Sequence, residues 1–345
     1  MSMIIRSRAP LRIGLAGGGT DVSPYSDLYG GTILNTTISM YAYATILPRT
    51  DGKIVFRSLD KEELYVLDSA DQLPINGELD LHRGIYNRIV KCFVGEALSF
   101  ELITWVDAPP GSGLGTSSTL VVAILGAFAE WLKLPLGEYD MARLAYEIER
   151  VDLAMAGGKQ DQYAATFGGV NFMEFYADDK VIVNPLRIKS YYLLELSHNL
   201  VLYYTETSRL SSKIIASQSK NVQEKNQATI EAMHQLKRQA EMMKEALLRG
   251  NINDVGEILD MGWQHKKRMA EGITNPFFDE VYQSAMDAGA TGGKISGAGG
   301  GGFMVFYCPG NSRDAVIKAL NRFGGQSKRY DFTLVGVQTW KNKRP

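Results

Sequence analysis

The sequence is poor in the features that would place a protein in a specialised class. Only two of its 345 residues are cysteines, Cys92 and Cys308. Two isolated cysteines cannot form a disulfide framework or a zinc site, so we expect a reducing compartment, with the cytoplasm as the default. The four histidines have no metal-ligand spacing and are interpreted as structural or surface residues, with no zinc expected. They are His82, His198, His234 and His265.

Charge of one sign and long apolar runs are also missing. Lysine and arginine total 37 against 38 aspartates and glutamates, so no broad electrostatic field attracts nucleic acid or anionic lipid. The longest apolar run, residues 120–129, is about half a membrane span and predicts a buried helix. Arginines interrupt the N-terminal segment, which has no small-residue cleavage site and does not resemble a signal peptide. We expect neither nucleic acid nor a membrane as partner, and any anion must be bound locally.

Glycine, in contrast, is abundant, and one glycine-rich stretch is more informative than any other. Residues 109–118 read Pro-Pro-Gly-Ser-Gly-Leu-Gly-Thr-Ser-Ser and precede a long apolar helix. Alternating glycines let successive amides converge on one anion, and the helix N-terminus adds partial positive charge. The three hydroxyl residues offer oxygens to a phosphate or a magnesium ion. This phosphate loop predicts nucleotide-binding roles for Pro110, Gly111, Ser112, Gly113, Leu114, Gly115, Thr116, Ser117 and Ser118.

Two commoner phosphate-binding motifs do not fit this loop. The lysine that closes a Walker A loop is absent, and Thr116 stands where a dinucleotide fingerprint has its third glycine. A second near match, around Lys294, also fails because Ala288 and Ile295 occupy positions that Walker A reserves for glycine and for serine or threonine. The loop therefore indicates a different class of nucleotide-binding protein.

The pattern of elements predicts two domains, residues 1–185 and 186–345, with the boundary near Pro185. A glycine-dense turn at residues 14–21, the N-terminal glycine turn, follows the first strand. Residues 297–302, the C-terminal glycine loop, lead into a strand in the second domain. Strands are predicted at 3–15, 31–47, 100–106, 169–175, 181–183, 200–204 and 303–307, and helices at 80–94, 117–132, 138–155 and 229–248.

Two acidic residues flank a glycine pair that ends the helix predicted at 138–155. Asp161 could cap the next helix, and Glu149 could be a solvated member of a surface ion pair. The phosphate loop gives both a second interpretation, because a nucleotide phosphate needs a divalent cation with hard oxygen ligands.

Three motifs in order resemble the GHMP kinase superfamily. They are Ala-Pro-Leu-Arg-Ile-Gly at 9–14 with the turn to Asp21, the phosphate loop, and Lys-Ile-Ser-Gly-Ala-Gly-Gly-Gly-Gly at 294–302. The resemblance implies an α+β fold, with an N-terminal domain that contains the phosphate loop and a ferredoxin-like C-terminal domain. It also implies ATP and Mg²⁺ as cofactors.

Within the superfamily, three further segments resemble the D-glycero-D-manno-heptose 7-phosphate kinases. They are Ala-Gly-Gly-Gly-Thr-Asp at 16–21, residues 85–91 and residues 158–169. This resemblance implies transfer of the ATP γ-phosphate to the anomeric hydroxyl, which gives the 1,7-bisphosphate used to make GDP-activated heptose for bacterial surface polysaccharide. The expected partners are ATP and a small sugar phosphate, and a homodimer remains open.

The resemblance also assigns roles to individual residues. Asp161 matches the catalytic aspartate that orients the acceptor hydroxyl, and whether it also accepts the proton remains open. Arg12 matches the basic residue beside it. Such an arginine would stabilise charge that develops during transfer. Ser117 and Glu149 match the magnesium ligands, while the amides of residues 113–116 would hold the β-phosphate.

Substrate binding is assigned to the two other glycine segments, at Gly18, Gly19, Thr20, Asp21, Gly299 and Gly300. Asp21 matches the sugar-binding aspartate of galactokinases, which have Glu-His where this chain has Gly18-Gly19. The loss of two polar side chains widens the site and exposes amides, which suits a larger or phosphorylated sugar. Contacts to the 7-phosphate remain open among Arg83, Arg88, Lys91, Arg209 and Lys213. Lys294 either touches a phosphate or the substrate at the C-terminal glycine loop or packs its stem beneath that loop.

Three other functions are compatible with parts of the sequence. A non-catalytic sugar sensor on the same fold is disfavoured because Asp161, Arg12, Ser117 and Glu149 are all present. A nicotinamide oxidoreductase is disfavoured by the missing fingerprint glycine. Another anomeric sugar kinase, such as a fucokinase-like enzyme, stays open because shared catalytic residues do not specify the sugar.

Overall fold

A computed structural model of the chain describes residues 3–207 and 211–343. Its larger sheet has eight strands in the order β12-β1-β2-β5-β3-β4, and β6 and β7 extend from the other end of the long β2. The strands are β1 (Met3–Ala16), β2 (Gly31–Pro48), β3 (Lys53–Ser58), β4 (Glu63–Asp68), β5 (Phe100–Val106), β6 (Val170–Phe175), β7 (Val181–Pro185) and β12 (Gln338–Lys343).

The helix that follows the phosphate loop is the centre of the first domain. This helix, α3 (Thr116–Leu132), packs against β1 and β2. Residues 118–128 are all buried, which agrees with a sequence that is apolar on every face. The loop at its N-terminus is therefore fixed to the sheet by the main core. The other first-domain helices are α1 (Tyr25–Tyr29), α2 (Asp80–Ile89), α4 (Glu138–Glu147) and α5 (Gln160–Phe167).

The second sheet has four antiparallel strands in the order β11-β8-β10-β9. With the intervening helices this is the βαββαβ arrangement of a ferredoxin-like domain, as expected. Its strands are β8 (Leu200–Tyr204), β9 (Gly292–Ile295), β10 (Phe303–Tyr307) and β11 (Gln326–Lys328). The helices of this half are α6 (Ser190–Asn199), α7 (Ser211–Gln223), α8 (Gln227–Arg249), α9 (Asp254–Lys266), α10 (Pro276–Asp287) and α11 (Arg313–Leu320).

The structure changes the predicted division of the chain in one respect. The boundary at residue 185 coincides with the end of β7, but the chain does not stay in the second domain afterwards. β12 returns to the first sheet and pairs antiparallel with β1, from Met3 with Lys343 to Arg8 with Gln338. Residues 338–343 therefore belong structurally to the first domain, against the prediction.

The helix predicted at 138–155 is shorter and irregular. α4 continues as a π-helical turn, Ile148–Asp152, and Gly157 and Gly158 lie beyond its end. A π-helical turn rotates the side chains relative to a regular helix and is common at functional sites. Here it leaves Glu149 fully buried. Within the described ranges, no helix has both the length and the apolar character to cross a membrane.

Candidate active site

A cleft of about 300 Å³ lies where the three glycine-rich segments meet. The phosphate loop forms one wall, and the N-terminal glycine turn with the start of α5 forms another. The second domain contributes Gly297 and Ala298, the first residues of α7, and Lys266 at the end of α9. Sequence segments from both domains therefore build one site.

The phosphate loop has the backbone of an anion site. Gly111, Gly113 and Gly115 have φ angles of 73°, 81° and 79°, which favour glycine. The amides at residues 113–116 donate to no acceptor in the described part of the chain. α3 begins at Thr116 with no side-chain cap and no acidic residue in its first turn. An uncapped helix N-terminus with converging free amides suits a phosphate.

The C-terminal glycine loop holds the phosphate loop in place. Ser296 Oγ donates to the carbonyl of Gly113 (2.9 Å), and the Phe303 amide donates to the carbonyl of Ser112 (2.9 Å). A Cβ at Gly113 would lie 2.3 Å from the carbonyl oxygen of Ser296, so only glycine allows this approach. Gly297 is packed against Gly113 in the same way.

Not every residue assigned to substrate binding lines the cleft. Gly299 and Gly300 pack against Ile273, whose carbonyl accepts from the Gly300 amide (2.9 Å). The Thr20 side chain is buried and hydrogen-bonded to the carbonyls of Gly17 and Thr32. Gly299, Gly300 and Thr20 therefore shape the turns and do not line the cleft. Gly297 and Ala298 take the place predicted for Gly299 and Gly300.

Arg12 and Asp161 form an ion pair beside the phosphate loop. Arg12 Nε donates to Asp161 Oδ1 at 2.6 Å, and Arg12 Nη1 donates to the carbonyl of Gly113. Their side chains are 5% and 21% exposed, so Asp161 is the more accessible of the two. The register of β1 against β2 shifts between Pro10 and Arg12, because proline lacks the amide that a regular ladder needs. Such an irregularity redirects side chains next to active sites.

Asp21 lies next to this pair and is buried. Its carboxylate accepts from the amide (3.1 Å) and the side chain (3.3 Å) of Gln160. Burial raises the pKa of Asp21, and the nearby charge of Asp161 raises it further. A Cβ at Gly158 would lie 1.9 Å from the Asp21 carboxylate, which explains the glycine at this position before α5. Two carboxylates therefore face the same end of the cleft.

Ser117 and Glu149 meet on the other side of the phosphate loop. Ser117 Oγ donates to Glu149 Oε1 at 2.9 Å, and the Gln162 side chain donates to Glu149 Oε2 at 2.5 Å. Nowhere in the described ranges do three His, Cys, Asp or Glu side chains gather as a metal-binding group. The hydroxyl and carboxylate are hard oxygen ligands that fit Mg²⁺, provided that phosphate oxygens and water complete its coordination.

Two cations in the cleft escaped the sequence analysis. Arg150 lies over Gly157 and approaches Glu149 Oε1 at 3.8 Å. Lys266 is buried and donates to the carbonyl of Gly297. Lys266 stands first in a run of three basic residues at a helix end, and the sequence carries no signal that this one points inward.

The basic residues that were candidates for binding the 7-phosphate mostly form other ion pairs or are exposed to solvent. Arg83 pairs with Glu78, and Arg88 pairs with Glu147 and Asp152. Lys91 and Lys213 are exposed, and Arg209 lies outside the described residues. Lys294 is buried and donates to the carbonyl of Gly14 at 2.8 Å. Lys294 therefore contacts the N-terminal glycine turn.

Comparisons with known proteins agree with this arrangement. Residues 80–169 match the GHMP kinases N terminal domain, and residues 243–326 match the GHMP kinases C terminal. The chain is 49% identical over 337 residues to the D-glycero-alpha-D-manno-heptose 7-phosphate kinase of Campylobacter jejuni, covering 98% of this chain and 99% of that protein.

Two further matches differ in their extent. A crystal structure described as a D-glycero-D-manno-heptose 1-phosphate kinase from Bacteroides thetaiotaomicron superposes with a TM-score of 0.85 at 46% identity, covering 99% of this chain and 100% of that one. The L-fucokinase/L-fucose-1-P guanylyltransferase of Bacteroides fragilis is 26% identical to this chain. That match covers 87% of this chain and 34% of the fucokinase protein.

Proposed function

The chain belongs to the GHMP kinases, and on that premise we propose that it transfers the γ-phosphate of ATP to the anomeric hydroxyl of D-glycero-D-manno-heptose 7-phosphate. The product is the 1,7-bisphosphate, which the resemblance to heptose kinases connects with GDP-activated heptose for surface polysaccharide. The observation that carries the proposal is the Arg12–Asp161 pair, which lies against the free amides of the phosphate loop.

Asp161 is the group that orients the acceptor hydroxyl and accepts its proton. Its carboxylate is partly accessible, and a Cβ at Gly115 would lie 3.0 Å from Asp161 Cγ. A hydroxyl held by Asp161 would therefore be next to a phosphate on the loop. Phosphoryl transfer depends mainly on positioning and on stabilisation of charge. Arg12 contacts both the carboxylate and the loop, and so keeps the two aligned.

Asp21 has a different role from Asp161 because it is buried and held by Gln160. We assign it to the sugar hydroxyls near the reacting carbon, where a carboxylate accepts hydrogen bonds with defined direction. Ser117 and Glu149 would hold Mg²⁺ near the nucleotide phosphates. When bound, the ion would neutralise charge on the phosphate oxygens.

The acceptor specificity is tested by turnover of Mg²⁺-ATP with heptose 7-phosphate, unphosphorylated heptose, mannose, fucose and galactose, with the products identified by phosphorus NMR. We expect a new anomeric phosphate with heptose 7-phosphate alone. Turnover of a free sugar instead would retain the kinase and overturn the acceptor. No turnover with any sugar would favour a sensor.

Fucose is included for a specific reason. The match to the fucokinase of B. fragilis extends over most of this chain, so a fucokinase-like activity is the second candidate. The far higher identity to a heptose 7-phosphate kinase favours the first. A kcat/KM for fucose above that for heptose 7-phosphate would reverse this order.

Glu149→Gln is expected to raise the Mg²⁺ concentration for half-maximal turnover by about 10–100-fold, a range typical of weakened metal sites. The amide is a weaker ligand than the carboxylate, although it can still accept from Gln162. Titration of turnover with Mg²⁺ at saturating acceptor measures the effect.

The matched control is Glu147→Gln, because Glu147 pairs with Arg88 and Arg143 on the outer side of the same segment. We expect its Mg²⁺ titration to overlay that of the unmodified protein. The same shift in both variants would argue against a metal ligand at Glu149.

A further inference from the structure

The second-domain side of the cleft contains a buried cation that has no role in the proposed phosphoryl transfer. Lys266 lines the cleft at the end of α9, and the residue is 4% exposed. Its ammonium group donates to the carbonyl of Gly297. Lysine has three N–H donors, so two others are available to a ligand.

The charge of Lys266 is not neutralised by an ion pair. In the described part of the chain no carboxylate is paired with it, although Asp21 is near enough to favour its charged form. Burial and the charge of Arg12 lower the pKa of Lys266 to about 8. The group therefore still carries a proton at neutral pH. A buried cation without a paired anion is costly, and an anionic ligand would remove that cost.

Two other basic groups surround Lys266 but are already engaged. Arg12 is paired with Asp161. Lys294 does not line the cleft, and its side chain donates to the carbonyl of Gly14. Burial, together with the charge of Lys266, lowers the pKa of Lys294 well below the usual value. Lys266 is thus the member of this group that faces the cleft with donors to spare.

The backbone of the N-terminal glycine turn lies next to this ammonium group. A Cβ at Gly18 would lie 3.4 Å from Lys266 Nζ and 3.8 Å from Lys294 Nζ, so any longer side chain would occupy the space beside both. The amides of Gly18 and Gly19 donate to no acceptor within residues 3–207 and 211–343. One ammonium group and two free amides are a suitable set of donors for a phosphate.

Two phosphates must bind in the cleft during the proposed reaction, the one transferred from ATP and the one already on the acceptor. The neighbours of Lys266 favour the second. Asp161 is adjacent to Gly115 of the phosphate loop. Lys266 is adjacent to Gly18 of the N-terminal glycine turn and donates to the carbonyl of Gly297. Asp21 is within electrostatic reach of both Asp161 and Lys266. A sugar whose anomeric hydroxyl meets Asp161 would extend its opposite end past Asp21 towards Lys266.

We propose that Lys266, with the amides of Gly18 and Gly19, binds the phosphate that the sugar acceptor already carries. This inference rests on the proposed function, because it requires a phosphorylated acceptor. It makes Lys266 the residue that selects a sugar phosphomonoester over a free sugar.

The test is the affinity of Lys266→Met for heptose 7-phosphate, measured by calorimetry without nucleotide. Loss of charge-assisted hydrogen bonds is expected to weaken binding by about 10–100-fold, while the Kd for ATP stays within about twofold. The control is Lys318→Met, the same change at a side chain that is 74% exposed and pairs with Asp314 on the surface. Methionine suits a buried site, and thermal unfolding checks that the variant is folded.

A second pair of variants keeps Lys266 in place. Gly18→Glu would put a carboxylate beside Lys266, and Gly18→Gln would put a neutral group of the same size there. The backbone at Gly18 is not in the left-handed region, and a Cβ there makes ordinary van der Waals contacts, so the backbone accepts either residue. We expect heptose 7-phosphate to bind about 10-fold more weakly to the glutamate variant than to the glutamine variant.

The outcomes separate this inference from the proposed function. If the unmodified protein does not bind heptose 7-phosphate, the proposed acceptor is wrong. If it binds and both Lys266→Met and the Gly18 pair leave the Kd unchanged, only the assignment of Lys266 is overturned. A Lys266→Met protein that binds the acceptor normally but has a lower kcat with every acceptor would assign Lys266 to the transferred phosphate and also overturn the inference.

Discussion

Replacing Asp161 with asparagine is expected to lower kcat by about 10²–10⁴-fold, the range of a positioned proton acceptor, and to change the Kd for ATP by less than about twofold. The asparagine amide keeps the size of the carboxylate but cannot accept the hydroxyl proton. It also loses the charge that pairs with Arg12 at 2.6 Å. The measurements are steady-state kinetics with heptose 7-phosphate and calorimetric titration with ATP.

The matched control for this change is Asp314→Asn, because Asp314 is an exposed aspartate that pairs with Lys318 and does not line the cleft. We expect its kinetics to equal those of the unmodified protein. Turnover near the normal rate in Asp161→Asn would remove this residue from the reacting centre. A large loss of ATP affinity would instead assign it to the nucleotide.

The second large effect is expected for Arg12→Met, with kcat/KM lowered by about 10²–10³-fold, as for the loss of a group that stabilises transition-state charge. Methionine removes the contacts to Asp161 and to the carbonyl of Gly113. Both the carboxylate and the phosphate loop then lose a fixed neighbour. Arg12→Lys is expected to be intermediate, since a lysine keeps the charge but cannot reproduce the planar fork.

Arg8→Met is the control on the same strand. Arg8 also lies on β1, but it donates to Gln338 at 3.0 and 2.8 Å, away from the cleft. We expect its kcat/KM to stay within about threefold of normal, in the range of changes outside functional contacts. Equal losses in Arg8→Met and Arg12→Met would point to a general effect on β1.

The regular parts of the fold could be predicted because they have strong local patterns. The strands at 100–106, 200–204 and 303–307 begin and end where predicted, and α3 and α8 differ from the prediction by one or two residues. β12 carries no such pattern, since Gln338–Lys343 is polar and mostly exposed. It is a strand because of its pairing with β1, more than 300 residues away in sequence, and local sequence cannot report such a partner.

The candidate site could likewise be predicted only in part. The motifs predicted that Arg12 lies beside Asp161 and that Ser117 and Glu149 share a magnesium site. In the structure the two pairs are hydrogen-bonded at 2.6 and 2.9 Å. Their roles stay predictions. The inward position of Lys266 depends on where α9 ends relative to the C-terminal glycine loop, which is a property of tertiary packing. The same packing decides that Gly297, and not Gly299, faces the cleft.

The pairing of β12 with β1 also has a consequence for the order of events during synthesis. β1 carries Arg12, yet its outer neighbour consists of residues 338–343. While a ribosome is still translating the second domain, β1 has an open edge that could pair with another chain. The first domain is therefore completed after the second, and the strand that carries Arg12 is paired on this edge only once residues 338–343 have been translated.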